Sequence, residues 1–305
     1  MPPSRKYSDP DAIAQVSDLM LRSRRLVEGA ISGQHRSPFH GFNIEFAAYR
    51  EYTPGDDLRR LDWRVFARSD RHYIKQYEEE SNVRVTFVMD ASASMNYRGA
   101  KAALSKFDYG ATLAVALSML LARQQDPVGL VLFDEEAGTV LPPSAKQAQV
   151  ATITGLLQAC TPARKTELGG LLRSLTDRIR RKGLLVIVSD LFTDLDDVYD
   201  GLNRLQFLGH EVLVLQVLDR DELTLPFDGP TVFRDIEGEE ELFAEPGGFR
   251  RDYQGAMRTF LDEVRRECGK RGYDHVCFVT DEPLGASLGM FLRSREESAH
   301  LGGRS

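Results

Sequence analysis

Cysteine is scarce in this 305-residue chain: Cys160, Cys268 and Cys277 are odd in number and far apart. That pattern argues against a disulfide framework and against a zinc site. The six histidines are scattered, without the spacing of metal ligands. Long apolar runs are also missing. The longest, Ala111–Ala122, falls short of the ~20 residues that a membrane-crossing helix needs. No apolar stretch precedes Ile13, so no signal peptide is expected. Basic charge is in deficit, with a net charge of -7, and a general nucleic-acid binder needs the opposite sign to neutralise phosphates. There is no GxGxxG, no phosphate loop with lysine and no GxSxG elbow, which leaves a dinucleotide enzyme or a serine hydrolase without support. These absences predict a soluble cytoplasmic protein with no membrane span and no nucleic-acid partner.

What is present describes an ordinary globular chain, with 42% hydrophobic and 28% charged residues. Its length suits one large domain plus a smaller companion. Residues 1–82 hold 13 basic and 13 acidic side chains, so the excess acid lies beyond them. Much of it falls between Asp219 and Glu245, where ten acids face two arginines in what reads as a solvated surface insertion. Within it, TVFRDI and ELFAE flank Gly238 as a hairpin would.

The expected boundary falls at residue 82. Before it, Ile13, Val16, Leu19, Met20, Leu26, Val27 and Ile31 keep helical spacing, with Arg22, Arg24 and Arg25 on the other face. Phe42, Ile44 and Phe46 alternate as a strand does. Thr53-Pro54-Gly55-Asp56 spells a turn, a short helix is expected around Leu58–Val65, and His72–Tyr77 reads as a further strand. Arg50, Arg59, Arg64 and Arg68 lie among Asp56, Asp57 and Asp62. Two readings stay open for this cluster: a partner-docking surface, or an internal set of arginine–carboxylate pairs around Trp63.

From Val83 onward the pattern becomes strand and helix in turn. Strands are expected at Val83–Met89, Val128–Phe133, Leu184–Ser189, Glu211–Val217 and His275–Thr280, with a short edge strand at Gly138–Pro142. Helices are expected at Ala102–Arg123, Ala145–Ala159, Leu168–Arg181, Leu195–Phe207 and Arg251–Arg271. Near-continuous Val, Leu and Ile runs are strands buried on both faces, so the fold class is α/β, a doubly wound and mostly parallel sheet behind a small N-terminal helix-plus-strand module.

Ligands of such sheets bind beyond the carboxyl ends of the strands, where strand order reverses. The residues there are Asp90-Ala91-Ser92-Ala93-Ser94, Asp134, Asp190, Asp219 and Asp281, with Thr166 opening the helix before the Leu184 strand. Hydroxyls and carboxylates suit Mg2+ or Mn2+, which take oxygen ligands and keep several waters. The same Ser and Thr residues also suit helix caps, and the residues alone leave that choice open.

DASAS after an apolar strand, a later threonine and an acid ending the next strand together resemble the von Willebrand factor A domain. The segment EFAAYREYTPGDDLRRLDWRVFAR, just before that strand, is similar to the signature of the domain of unknown function 58 family, a resemblance that spans nearly the whole chain. It implies a metal-ion-dependent adhesion site of Asp90, Ser92, Ser94, Thr166 and Asp190. It also implies a non-enzymatic adaptor or co-chaperone of a MoxR-type AAA+ ATPase, gripping an acidic side chain of that partner or of a client protein through the metal. Two departures are visible: Arg164-Lys165 precede Thr166 where glycines are frequent, and Leu191 follows Asp190 where glycine is usual in A domains. Two alternatives accompany this expectation. One is a metal-dependent nuclease or phosphatase using strand-end acids such as Asp134, Asp219 and Asp281; the other is an A domain that binds partners without metal.

Overall fold

The computed structural model describes residues 18–30, 44–51, 73–79, 83–133, 138–163, 168–179, 181–234 and 241–302. Strands β1 (Ile44–Glu51) and β2 (Tyr73–Glu79) pair antiparallel, with Arg50 opposite Ile74 and an irregularity between Phe46 and Ala48. The turn at Thr53–Asp56, the short helix at Leu58–Val65 and the residues Asp56, Asp57, Arg59, Arg64 and Arg68 lie outside the described residues.

Six further strands build a sheet in the order β10-β7-β6-β3-β4-β5. These are β3 (Val85–Asp90), β4 (Val128–Phe133), β5 (Val140–Ser144), β6 (Leu184–Ser189), β7 (Glu211–Leu218) and β10 (Asp274–Val279). All adjacent pairs are parallel except β4–β5. Edge strand β5 carries Pro142 and Pro143, residues without an N–H that only an edge tolerates. Strands β3, β4 and β6 are buried along their whole length, as their Val, Leu and Ile content predicts.

Side chains alternate between two apolar clusters on the two faces of this sheet. Val85, Phe87 and Met89 enter one, together with the long helix α2 (Lys106–Arg123). Val88 enters the other, with Leu168 and Leu172 of α4 (Leu168–Arg178) and Val198 and Leu202 of α5 (Leu195–Phe207). A further helix, α3 (Gln149–Ala159), adds Val150, Ile153 and Leu157 to the first.

Helix α2 is buried almost all round, from Phe107 through Leu121. Such a helix needs a second layer outside it. Helix α1 (Leu19–Ala30) supplies part of that layer through Leu19, Leu26 and Val27. The rest comes from α8 (Leu284–Gly302), whose Leu284, Leu288, Phe291 and Leu292 join the same cluster. This helix is not among those the sequence pattern predicts.

Three local expectations are corrected. Arg22 does not share an exposed face with Arg24 and Arg25; it is buried, and its Nε donates to Thr112 Oγ1 at 2.8 Å. Helix α2 starts at Lys106 rather than Ala102, because Ser105 caps it by accepting from Asp108 N at 3.1 Å. Helix α4 ends at Arg178, short of Arg181.

Beyond β7 come the short helix α6 (Arg220–Thr224) and the antiparallel pair β8 (Thr231–Arg234) and β9 (Glu241–Ala244), the hairpin expected in the acidic stretch. Helix α7 (Arg250–Arg271) follows and ends at Gly272, whose φ of 71° is the left-handed geometry of a helix stop.

Candidate metal centre

Strand β3 sits between β4 and β6, so its carboxyl end opens the crevice where connections leave in both directions. Asp90 ends β3. Its Oδ1 accepts from Ser92 N at 2.8 Å, which turns the chain within two residues. Ala91 and Ala93 are buried in that turn, and larger side chains would have to displace the surrounding core. A short 3-10 turn, Ala93–Asn96, then presents Ser94 toward β6.

Asp90, Ser92, Ser94 and Asp190 converge here. Ser92 Oγ and Ser94 Oγ lie 2.9 Å apart, and Ser94 Oγ donates to Asp190 Oδ2 at 2.8 Å. Asp190 follows β6, and its Oδ1 accepts from Phe192 N at 3.0 Å. Asp90, Ser92 and Asp190 are buried, and Ser94 is half-buried. Burial first, and then the nearby Asp190 carboxylate, push the Asp90 pKa up to about 6.

Several partners of these acids carry no sequence signal of their own. Ser189, the last residue of β6, donates to Asp90 Oδ2 at 2.6 Å and accepts from Leu191 N at 3.0 Å. Lys106 is fully buried, and its Nζ donates to Asp190 Oδ2 at 2.7 Å and to Glu222 Oε1 at 2.5 Å. Burial alone would lower the Lys106 pKa, but Asp190 and Glu222 together outweigh it, and the ammonium stays protonated. Phe192 lies 5.0 Å from that ammonium, measured to the ring centroid. Gln216, on the neighbouring β7, donates to the Asp190 carbonyl at 3.1 Å.

The donor set suits a hard divalent cation. In an octahedron with metal–oxygen bonds of ~2.05 Å, adjacent oxygens are ~2.9 Å apart. The Ser92–Ser94 and Ser94–Asp190 separations are those of O–H···O hydrogen bonds and are also compatible with that edge. Charge fits as well: Asp90, Asp190 and Glu222 against Lys106 leave a net of -2 when all are ionised. Asp190 accepts from the Ser94 hydroxyl and Asp90 from the Ser92 amide, so two hydroxyls and two carboxylates converge where such a cation could be held.

Other strand-end acids are committed elsewhere. Asp219 Oδ2 accepts from Gly99 N at 2.9 Å and from Thr280 Oγ1 at 2.6 Å. Asp221 Oδ2 accepts from Ala100 N and from the Tyr97 hydroxyl. Both acids therefore pin the loop that follows the serines. A Cβ on Gly99 would lie 2.1 Å from Asp219 Oδ1, so only glycine fits there. Asp281 accepts from Arg220 Nε through both oxygens. Among the described residues, no group of three or more His, Cys, Asp or Glu side chains is placed to hold a metal. A cavity of about 360 Å³, lined by Arg84, Leu141, Pro143, Ile179 and His210 among others, lies at the amino ends of β3 and β6, far from this chemistry.

The family described as protein of unknown function DUF58 matches residues 48–260. The chain belongs to this family. It is 28% identical over 301 residues to the uncharacterized protein Rv1480 of Mycobacterium tuberculosis, covering 96% of this chain and 93% of that one. It is 30% identical over 154 residues to the uncharacterized protein MAV169 of Mycobacterium avium, covering 47% and 87%. Among solved structures, it resembles the conserved hypothetical protein BatB of Bacteroides thetaiotaomicron, with a TM-score of 0.47 and 16% identity over 71% of this chain and all of that one. An aerotolerance-related membrane protein of Bacteroides fragilis gives a TM-score of 0.46 and 14% identity over 70% and 100%.

In this DUF58 protein, the structure brings together four of the five residues named from the metal motif: Asp90, Ser92, Ser94 and Asp190. Thr166 lies outside the described residues, as do Arg164, Lys165 and Asp134. Leu191, standing where A domains usually have glycine, adopts the backbone a glycine would, with φ at 63°. No described helix is long and apolar enough to cross a membrane.

Proposed function

We propose that this chain is a metal-dependent protein-interaction module with a doubly wound, von Willebrand factor A-like domain. In this reading Ser92 and Ser94 ligate Mg2+ or Mn2+, Asp90 and Asp190 balance its charge, and Thr166 completes the donor set. The observation that carries it is the convergence of the Ser92 and Ser94 hydroxyls, 2.9 Å apart, beside the buried Asp190 carboxylate in the crevice of the sheet. A cation held largely by neutral hydroxyls keeps positive charge for one further ligand, and a carboxylate from another protein is the natural donor. The bound ion supplies an electrophilic anchor, not a reaction.

In this reading the partner is a MoxR-type AAA+ ATPase, and the chain acts as adaptor or co-chaperone toward a client. A nuclease or phosphatase would need strand-end acids at the ion, and Asp219 and Asp281 serve Gly99, Thr280 and Arg220 instead. The test is complex formation between this protein and a MoxR-type ATPase in magnesium. Binding is expected to be lost on adding EDTA and in Asp90→Ala. Complex formation indifferent to both would refute the metal bridge.

A further inference from the structure

The side chain that the proposed metal site leaves unexplained is Lys106. Lysine is almost never fully buried without a reason. Here it is the first residue of α2, wholly enclosed, and it spans two carboxylates from different elements, Asp190 after β6 and Glu222 in α6. Neither carboxylate is anchored by the lysine alone. Asp190 also accepts from Ser94 and from Phe192 N. Glu222 Oε2 accepts from Asp219 N at 2.8 Å, closing a capping box at the start of α6. The geometry of both acids is thus fixed by other donors, and what Lys106 adds is a fixed positive charge beside them.

We infer that Lys106 is a tuning residue that holds the site's affinity for a divalent cation down. This rests on the metal-site reading above. Two features of the contacts explain how. The Asp190 oxygen that faces the serines already receives the Lys106 ammonium, so its charge is part-neutralised before any ion arrives. With Lys106, the three carboxylates Asp90, Asp190 and Glu222 sum to -2, and a divalent ion brings the centre to neutrality. Without it the same ion would leave -1. A neutral centre accepts an incoming partner carboxylate with less repulsion than an anionic one, so the lysine weakens the metal alone and favours the metal-plus-acid state. Phe192, 39% exposed and packed on Phe260 at 5.6 Å, covers the ammonium from the solvent side.

The experiment is a charge cycle read by Mn2+ titration at pH 8, using calorimetry and the Mn2+ paramagnetic resonance signal. Four full-length proteins are compared: wild type, Lys106→Met, Glu222→Gln and the double variant. Charge tuning predicts at least ~10-fold tighter Mn2+ binding in Lys106→Met, weaker binding in Glu222→Gln, and a return toward wild type in the double variant, whose net charge is unchanged. A lysine that merely braces the fold predicts weaker binding in all three variants, and that result would overturn the inference. So would equal affinity in wild type and Lys106→Met. The double variant removes Lys106 together with one of its two acids and keeps the net charge, so it reports even if Lys106→Met fails to fold. If all four proteins fold by circular dichroism yet none shows saturable Mn2+ binding, the metal site itself fails, an outcome distinct from unchanged affinity.

Discussion

Leu191 shows how a single residue here serves two opposed demands. Its φ of 63° is left-handed, which costs a side-chain-bearing residue ~1–2 kcal/mol. Its side chain is also buried in the second apolar cluster, a placement that contributes ~1.5–3 kcal/mol. Leu191→Gly would relieve the first, lose the second and add the chain entropy of glycine. A net loss of ~1–2 kcal/mol is expected, measured by urea unfolding; a more stable variant would mean backbone strain dominates. Ser189 acts on Asp90 directly. Replacing it with alanine removes a 2.6 Å hydrogen bond to a buried carboxylate and the acceptor for Leu191 N. The expected loss is ~1–3 kcal/mol in the same assay, accompanied by weaker Mn2+ binding. Unaltered Mn2+ affinity in a folded Ser189→Ala protein would separate Asp90 orientation from metal capture.

At the scale of elements, the sheet edge at β10 carries a pH response. His275 sits on β10, and its Nε2 donates to Gln216 Oε1 at 3.0 Å, the Gln216 amide being engaged with the Asp190 carbonyl. Burial first, and Arg265 second, lower the His275 pKa to about 4. The folded state therefore favours the neutral ring, while the unfolded state takes up a proton near pH 6.5. Stability contributed by this residue is whole above pH 6.5 and falls as pH drops toward 4, by up to ~3 kcal/mol before solvent screening is discounted. His210, also lowered by burial, acts in the same direction. Denaturant unfolding of wild type and His275→Gln across pH 4.5–8 isolates the His275 share: the two curves should converge as the solution is acidified. Parallel curves would show that His275 is not titrating in this window.

For the whole molecule, the outer layer over α2 decides where the cooperative unit ends. Leu19, Leu26 and Val27 of α1 share one apolar cluster with Val85 and Phe87 of the central strand, and Arg22 reaches Thr112 in the middle of α2. A chain shortened to residues 83–305 exposes that face. Three large apolar side chains at ~1.5–3 kcal/mol each exceed the ~1 kcal/mol that moves the midpoint of a domain this size by ~2–4 °C. A melting temperature lower by ~10 °C or more is expected by circular dichroism. An unshifted midpoint would make α1 an accessory layer.

The sequence by itself determined the alternation of strands and helices, because unbroken Val, Leu and Ile runs have to be covered on both faces wherever they lie. It also determined which acids and hydroxyls end those strands, since DASAS and the Ser-Asp after LLVIV stand at the last residues of apolar runs. Tertiary structure alone decided which of these groups share a centre. Nothing in local spacing separates Asp190, which faces the serines, from Asp219, which is spent on the amide of Gly99. Nor could periodicity reveal Lys106 joined to Glu222, 116 positions away, or α1 and α8 closing over α2. Period and propensity act between neighbours along the chain, whereas a buried charge takes its partner from whatever the folded sheet brings within ~3 Å.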